Sequence, residues 1–448
     1  MSTKLDLLQD LIKTAQAKGA DIADAVFAEG TSLSLSYRMG EVEQLDRSEG
    51  QDLGLRVFVN KEGGLAQAIV SSSDTSPQAL NELADRAVAM AKSVPADPYA
   101  GIADPDQLAT NFTDFDMFDP CEPSADDLKD QARTAEEAGL DVQGVSQCEG
   151  ASAGFGHTRV AMAASNGFAH AYERSSHSLS ASMVAGKGQG MERDYDYSGS
   201  VWAEDLASAE DIGRIAGEKA VKRLNPKKVK TGQFPVIYDA RVSRTLIGHM
   251  SSAINGASVA RGTSFLKDKM NELVFAKGVN IIDDPHRLRG LRSASFDDEG
   301  LATTKRNIID DGRLTTWFLD LRSAKQLGLK STGHASRGVS SAPSPSSSNL
   351  YLAPGAQTLD DMIKDITQGF FVTELIGMGV SGITGDYSRG ASGFWIENGE
   401  LTYAVSEVTV AGNLLDMFKT LTPASDLEFR HGLDAPSVRI DGLTIAGV

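Results

Sequence analysis

Only two cysteines, Cys121 and Cys148, occur in 448 residues. No disulfide framework can staple a chain of this size with so few, and the count suits a reducing compartment. Basic charge is scarce too: 43 Lys and Arg stand against 61 Asp and Glu, a formal charge of −18. Neutralising phosphates takes clustered Lys and Arg, so nucleic acid and anionic membrane surfaces are not expected as partners. The one basic cluster, Lys227, Lys228 and Lys230 behind Pro226, reads as a solvated linker. No apolar run approaches the ~18 residues of a membrane span, and the opening segment lacks the uninterrupted apolar core of a secretion signal. Together these absences predict a cytoplasmic protein.

What is present is ample material for cores: 41% hydrophobic residues over a length that suits two to three domains. Thr3 is placed to cap a helix with Leu5, Leu8, Ile12 and Ala15 on its apolar face and Gly19 as its stop. Strict alternation follows at Leu33, Leu35 and Tyr37, and again at Leu53, Leu55, Val57 and Val59, predicting half-buried antiparallel strands. Ser76 and Pro77 open a second helix through Leu80, Leu83, Ala87 and Met90. After a Pro- and Asp-rich connecting loop (94–123) the plan repeats. Ser124 caps a helix, strands turn at Asn166 and Gly167, and a closing helix runs through Ile212, Ile215 and Ala220. The expected class is therefore α+β. Its N-terminal α+β domain spans 1–225, dividing into helix–strands–helix units at 1–95 and 124–224, and a mostly β domain spans 232–448. In that second part Asp311-Gly312 and Asn398-Gly399 mark hairpins. Three short helices are expected at about 240–255, 358–367 and 413–420. The Ser-, Gly- and Pro-rich stretch 331–349 reads as a long exposed loop.

Zinc peptidases need two histidines on one helical face with a glutamate beside them, since imidazoles supply neutral ligands and the carboxylate takes the proton of metal-bound water. The helix at 240–255 carries His249 alone, and no glutamate lies between Glu218 and Glu272. His170, Glu173 and His177 would share a helical face, but they fall where alternation favours a strand, which sends 170 and 177 to opposite sides. The glycine cluster 186–190 reads as a turn, and no nucleophile elbow or phosphate loop is present. From its residues alone the chain shows no complete catalytic set. In "GDYSRGASGFWIENGEL" the glycines 385, 390 and 393 allow close backbone approach beside Asp386, Ser388 and Arg389. This stretch lines a peptide groove or makes a bend before a hairpin, and "RGTSFL", with Arg261 and Ser264, is wall or joint.

The segments "ARGTSFLKDKMNELVF", "VNIIDDP", "FDDEG", "GDYSRGASGFWIENGEL" and "DLEFRHGLDAPSVRIDGLTIAG" occur in this order through 230–448. The chain thereby resembles the PmbA (TldE) branch of the TldD/PmbA metalloprotease family. The resemblance implies curved C-terminal sheets and a cytoplasmic dimer of homologous subunits that cleaves unstructured peptides in an internal cavity. It also implies that zinc is held by a TldD-like partner on an HExxxH helix with a further cysteine. Here the equivalent helix has His249 without the second histidine or the glutamate, and no cysteine follows Cys148. The expectation is a partner subunit with no catalytic residue and no metal or other cofactor of its own. Arg261, Ser264, Asp386, Ser388, Arg389 and Gly390 are its candidate cavity lining. Two other readings stand beside it: a homodimeric peptide-binding scaffold, and a self-sufficient hydrolase using His170, Glu173 and His177.

Overall fold

The structure is a computed structural model that describes residues 2–448. The N-terminal part opens with helix α1 (Ser2–Ala17), strands β1 (Ile22–Arg38), β2 (Glu41–Lys61) and β3 (Gly64–Ser72), and helix α2 (Pro77–Ser93). The same order returns in α3 (Ala125–Leu140), β4 (Val145–Ala164), β5 (Ala169–Ala185), β6 (Glu192–Ser200) and α4 (Ala209–Lys222). All six strands form one antiparallel sheet, ordered β3-β2-β1-β4-β5-β6, with β1 and β4 at its centre. One face is apolar throughout. Ala23, Ala25 and Phe27 of β1 pack under α1 and α2, and Leu33, Leu35 and Tyr37 of the same strand pack under α3 and α4. Each such side chain contributes about 1.5–3 kcal/mol for the larger residues, and the alternation read from the sequence is this face.

Local details follow from cap chemistry and from small residues. The first helix begins at Ser2, which puts Thr3 in its first turn instead of at its cap. The Ser76 hydroxyl accepts from the Ala79 N–H and starts α2. The buried stripe of α2 is Leu83, Ala84, Ala87, Val88 and Ala91, one position round from the expected one, so Met90 is left exposed. Its alanines let the helix sit close to the sheet. Ser124 and Asp127 form a capping box on α3. Glu136, buried on that helix, accepts from the N–H groups of Met39 and Gly40 and pins the turn between β1 and β2.

The C-terminal part begins with β7 (Gly232–Tyr238), α5 (Ala240–Ala253) and α6 (Gly256–Ala260). Next come β8 (Ile281–Asp283), β9 (Arg306–Asp310), β10 (Arg313–Leu314), α7 (Leu321–Leu327), β11 (Ala335–Ser336), β12 (Ser344–Pro345) and β13 (Leu350–Leu352). It ends with α8 (Leu359–Lys364), β14 (Gln368–Ile376), β15 (Asp386–Glu397), β16 (Glu400–Asn413), α9 (Leu414–Thr420), β17 (Thr422–Pro423), β18 (Leu433–Asp434) and β19 (Val438–Ala446). Strands β16-β15-β14-β7-β19 run side by side, and a pairing of β16 with β19 closes them into a barrel. A second sheet, β10-β9-β8-β13-β18, lies beyond α5. The fold is thus α+β with curled sheets in its second part, as expected. Both hairpin dipeptides hold the left-handed conformation their turns require, with φ 46° and 80° at Asp311 and Gly312 and 52° and 82° at Asn398 and Gly399.

Two expectations for this part are corrected. Five helices occur here among the described residues, not three. The short α6 is started by Asn255, whose side chain accepts from Ala257 and Ser258, and α7 is started by Asp320 and stopped by left-handed Gly328. Neither is long enough to show a period. The stretch 331–349 is an exposed loop only in part: residues 336, 338, 340–342, 344 and 346 face solvent, but both ends are buried. Thr332, His334 and Ala335 are buried, β11 pairs with β12, and the strap docks on the N-terminal sheet. There the Arg337 guanidinium meets the Asp24 carboxylate at 2.5 Å, and Asp24 also receives Arg56 at 2.9 Å through Nε. Gly54 makes room for the crossing, because a Cβ there would stand 1.7 Å from the Val339 carbonyl oxygen. Serine and proline mark the strap as irregular; most of its serines are exposed while Pro343 and Pro345 are buried. Arg337 Nη1 finds its partner 313 residues away in Asp24, while its Nε and Nη2 are buried without one.

Candidate functional site

The first candidate region surrounds α5. Asp239 accepts from the Arg241 N–H and starts the helix, and Val242, Leu246, Ile247 and Met250 bury its apolar stripe. His249 sits beside that stripe, half-buried, with its ring edge-on to Tyr387 at 6.2 Å and no partner for Nε2. Burial pushes its pKa down, and the charge of Arg389 adds to that, favouring the neutral imidazole. The buried hydroxyls of Tyr238 and Tyr387 likewise lack hydrogen-bond partners, and burial pushes the Tyr387 phenol up to about 12. One imidazole, two phenols and a guanidinium make up the neighbourhood.

Of the residues singled out in the sequence, Asp386, Ser388 and Gly390 lie on one face of β15, and Tyr387 and Arg389 on the other. Asp386 is exposed and accepts from Thr384 Oγ1 at 2.7 Å and Asn413 Nδ2 at 3.1 Å, which hold it below the usual carboxylate range. Arg389 Nε donates to the Ile376 carbonyl at 3.3 Å. Strand β15 pairs with β16, and beyond the end of β14 its other edge is filled by 379–381. Arg261 is exposed at the end of α6, whereas Ser264 is buried with its hydroxyl on the Ala253 carbonyl. His170, Glu173 and His177 occupy β5 with the two histidines on opposite faces. His170 stacks on Phe112 at 3.9 Å, Glu173 pairs with Arg159 at 3.3 Å, and His177 is buried against Asp119 at 3.2 Å. The Cys148 thiol is pushed up to about 12 by burial and by Glu136, so it is unreactive.

The second region is a cavity of about 470 Å³ at the junction of the two parts. Its walls are the loop 112–118, residues 170–174 of β5, and the loop 293–298. Phe112, Phe296 and Tyr172 make it aromatic, and Asp114, Asp116, Glu173 and Asp298 outnumber the lone Arg174. None of Arg261, Ser264, Asp386, Ser388, Arg389 and Gly390 lines it. The segment 94–123, expected as a connector, supplies one wall of this cavity. Its signal was "FTDFDMF", where phenylalanines at 112, 115 and 118 stand in a polar loop that does not itself build a core. Next to the cavity lies a buried acidic run: burial pushes Asp297 up to about 6, and burial together with Asp297 raises Glu299 well above its ordinary value.

Two antiparallel sheets, one open and backed by helices, the other closed on itself, joined around an aromatic and acidic cavity, define an α+β protein of two unlike halves. The chain belongs to the PmbA/TldA metallopeptidase family, whose domain models match residues 23–91 (domain 1), 118–224 (central) and 231–447 (C-terminal). It is 39% identical to the metalloprotease PmbA of Escherichia coli O157:H7 over 446 residues, covering 98% of this chain and 96% of that protein. Among solved structures, a candidate modulator of DNA gyrase from Bacteroides thetaiotaomicron superimposes with a TM-score of 0.91 at 28% identity over the whole of both chains. TldE from Thermococcus kodakarensis has the same fold, with a TM-score of 0.85 at 21% identity over 98% of this chain and all of that one.

The family's name implies a metal, zinc by the resemblance above. His249 offers one nitrogen, its neighbour Arg389 opposes a cation, and among the described residues no three His, Cys, Asp or Glu side chains gather as a metal site. This set does not fit tetrahedral zinc with an open position.

Proposed function

We propose that the chain is the zinc-free subunit of a heteromeric metallopeptidase acting on unstructured peptides, with a TldD-like homologue supplying metal and base. The observation that carries this reading is the α5 neighbourhood, where a lone imidazole is flanked by phenols and a guanidinium within a metallopeptidase fold. The division at 1–225 and 232–448, the cytoplasmic location and the peptide substrates belong to the same reading. Arg261, Asp386, Ser388, Arg389 and Gly390 border the shared enclosure in this reading, with Ser264 supporting them from below. Mixing the purified chain with its zinc-bearing homologue tests it: a stable complex with peptidase activity that neither chain shows alone is expected. Full activity of the homologue without this chain would overturn it.

A second reading, a homodimeric peptide-binding scaffold, draws on the outer edge of β2. Pairing with β3 begins only at Leu53, so among the described residues no strand lies beyond 41–52, and Met39, Val42 and Leu45 are exposed there. A stable homodimer that ignores the homologue would favour it.

A further inference from the structure

Strand β5 runs on past its neighbour. It pairs with β4 along Ala169–Ala185, but β6 joins its other side only from His177 onward. Alternate residues of an antiparallel strand send both N–H and C=O to the same side. Ser175 shows which side the odd-numbered residues take here, since its N–H donates outward to the Met117 carbonyl at 3.0 Å. Ala171 and Glu173 therefore direct their main-chain groups away from β4, into the 470 Å³ cavity, and among the described residues no strand pairs with them. An open edge inside a cavity offers a hydrogen-bond template that only an extended main chain matches fully.

The walls add a side-chain preference. Phe296 lies edge-on to His170 at 5.0 Å and to Tyr172 at 5.9 Å, giving an aromatic floor beneath the edge. Asp116 and Glu173 are neutralised from outside by Arg289 and Arg159. Among the described residues no cation pairs with Asp114, and Asp298 receives the Arg337 backbone N–H at 2.7 Å with the charges of Arg337 and Arg174 nearby. A neighbouring cavity of about 340 Å³ shares Tyr172, Arg174 and Phe296 and extends the space toward the strap at 331–349.

We infer that the edge of β5 at Ala171 and Glu173 binds an extended peptide carrying basic and aromatic or aliphatic residues, which takes the position β6 would occupy if it continued. The inference rests on the proposed role in peptide handling for its purpose, and adds a capture site on this chain, away from α5. Two outward-facing residues correspond to a partner segment of about five residues.

The test uses the full isolated chain and fluorescence anisotropy with a blocked octapeptide alternating lysine with valine or phenylalanine. Saturable binding is expected, at least tenfold weaker when every second amide is N-methylated and at least tenfold weaker with glutamate in place of lysine. Ala171→Pro removes one outward N–H, which an edge position tolerates, and is expected to weaken binding at least tenfold. Asp114→Asn, at an exposed site, is expected to weaken it about threefold for the lysine peptide only. Equal binding of the methylated or the acidic peptide, or unchanged affinity in folded Ala171→Pro protein, would overturn the inference. Co-elution with the zinc-bearing homologue, scored separately on the same variants, tells this failure from failure of the subunit reading.

Discussion

The N-terminal sheet and the C-terminal barrel deal with strand edges in opposite ways. In the barrel β16 pairs with β19 at Thr409–Ala411, which joins the two ends of the strand order so that neither is a terminal strand. In the N-terminal sheet β2 outruns β3 and β5 outruns β6, which leaves two stretches of edge open at opposite ends of the strand order. The cores differ as well. The barrel and its flanking sheet share one large apolar cluster that includes α5, whereas the second face of the N-terminal sheet meets the other half through a small apolar cluster, Val26, Met162 and Phe168 with Phe296 and Val339, beside a buried charge cluster at Asp24, Arg56 and Arg337. Partners are therefore expected at the open half, and sensitivity to pH at the junction.

The largest effect expected of breaking this contrast is at the junction. Asp24→Ala leaves two buried guanidiniums without their shared carboxylate, and should cost about 3–5 kcal/mol of stability by urea denaturation. Close behind come two glycines. Gly393→Ala brings a Cβ within 1.9 Å of the Phe371 carbonyl oxygen inside the barrel, and Gly54→Ala meets Val339 at 1.7 Å under the strap. Each should cost about 3 kcal/mol. Limited proteolysis should separate them, with Gly54→Ala opening 331–349 to cleavage while the barrel stays resistant.

A smaller effect is expected of pH. Burial holds Asp297 at about 6, so at pH 5 the folded chain keeps a proton there that the unfolded chain, titrating near 4, has lost. Stability should therefore rise as pH falls from 7 toward 5. Asp24 works the other way. Burial alone would raise it, but Arg56 and Arg337 hold it below its ordinary value, so its contribution is intact above about pH 4 and lost as pH falls further. Thermal melts at pH 7, 5 and 3 should show a maximum at the middle value, and Glu299→Gln should flatten the gain between 7 and 5. The smallest effect is expected of His249→Ala, which should leave peptidase activity of the assembled complex within a few-fold. A large loss with the fold intact would mean that the imidazole contributes after all.

Elements whose signal is local were legible in the residues. The alternation at Leu33, Leu35 and Tyr37, the caps at Ser76 and Ser124 and the two dipeptide turns each encode their own geometry within a few positions. Arg56 and Phe58, between the inward residues of β2, are buried as well, because the strap and neighbouring loops cover the second face. Nothing near Arg56 in sequence announces Arg337. The same holds for the cavity. Phe112 and Phe296 become a wall only when two distant loops are laid on β5, and short α6 and α7 exist because their caps and neighbours hold them. The α5 neighbourhood was readable in part: the missing glutamate was visible, but not that Arg389 would face the imidazole.

The strap contact also sets a timetable for synthesis. Asp24 and Arg337 are 313 residues apart, and at about 5–20 residues per second a ribosome needs roughly 15–60 s to cover that interval. Throughout that wait the nascent sheet presents a charged pair, Asp24 with Arg56, where the finished protein is dry. Beside it Val26, Met162 and Phe168 wait for Phe296 and Val339, so the early half carries charge and apolar surface together until its cover arrives.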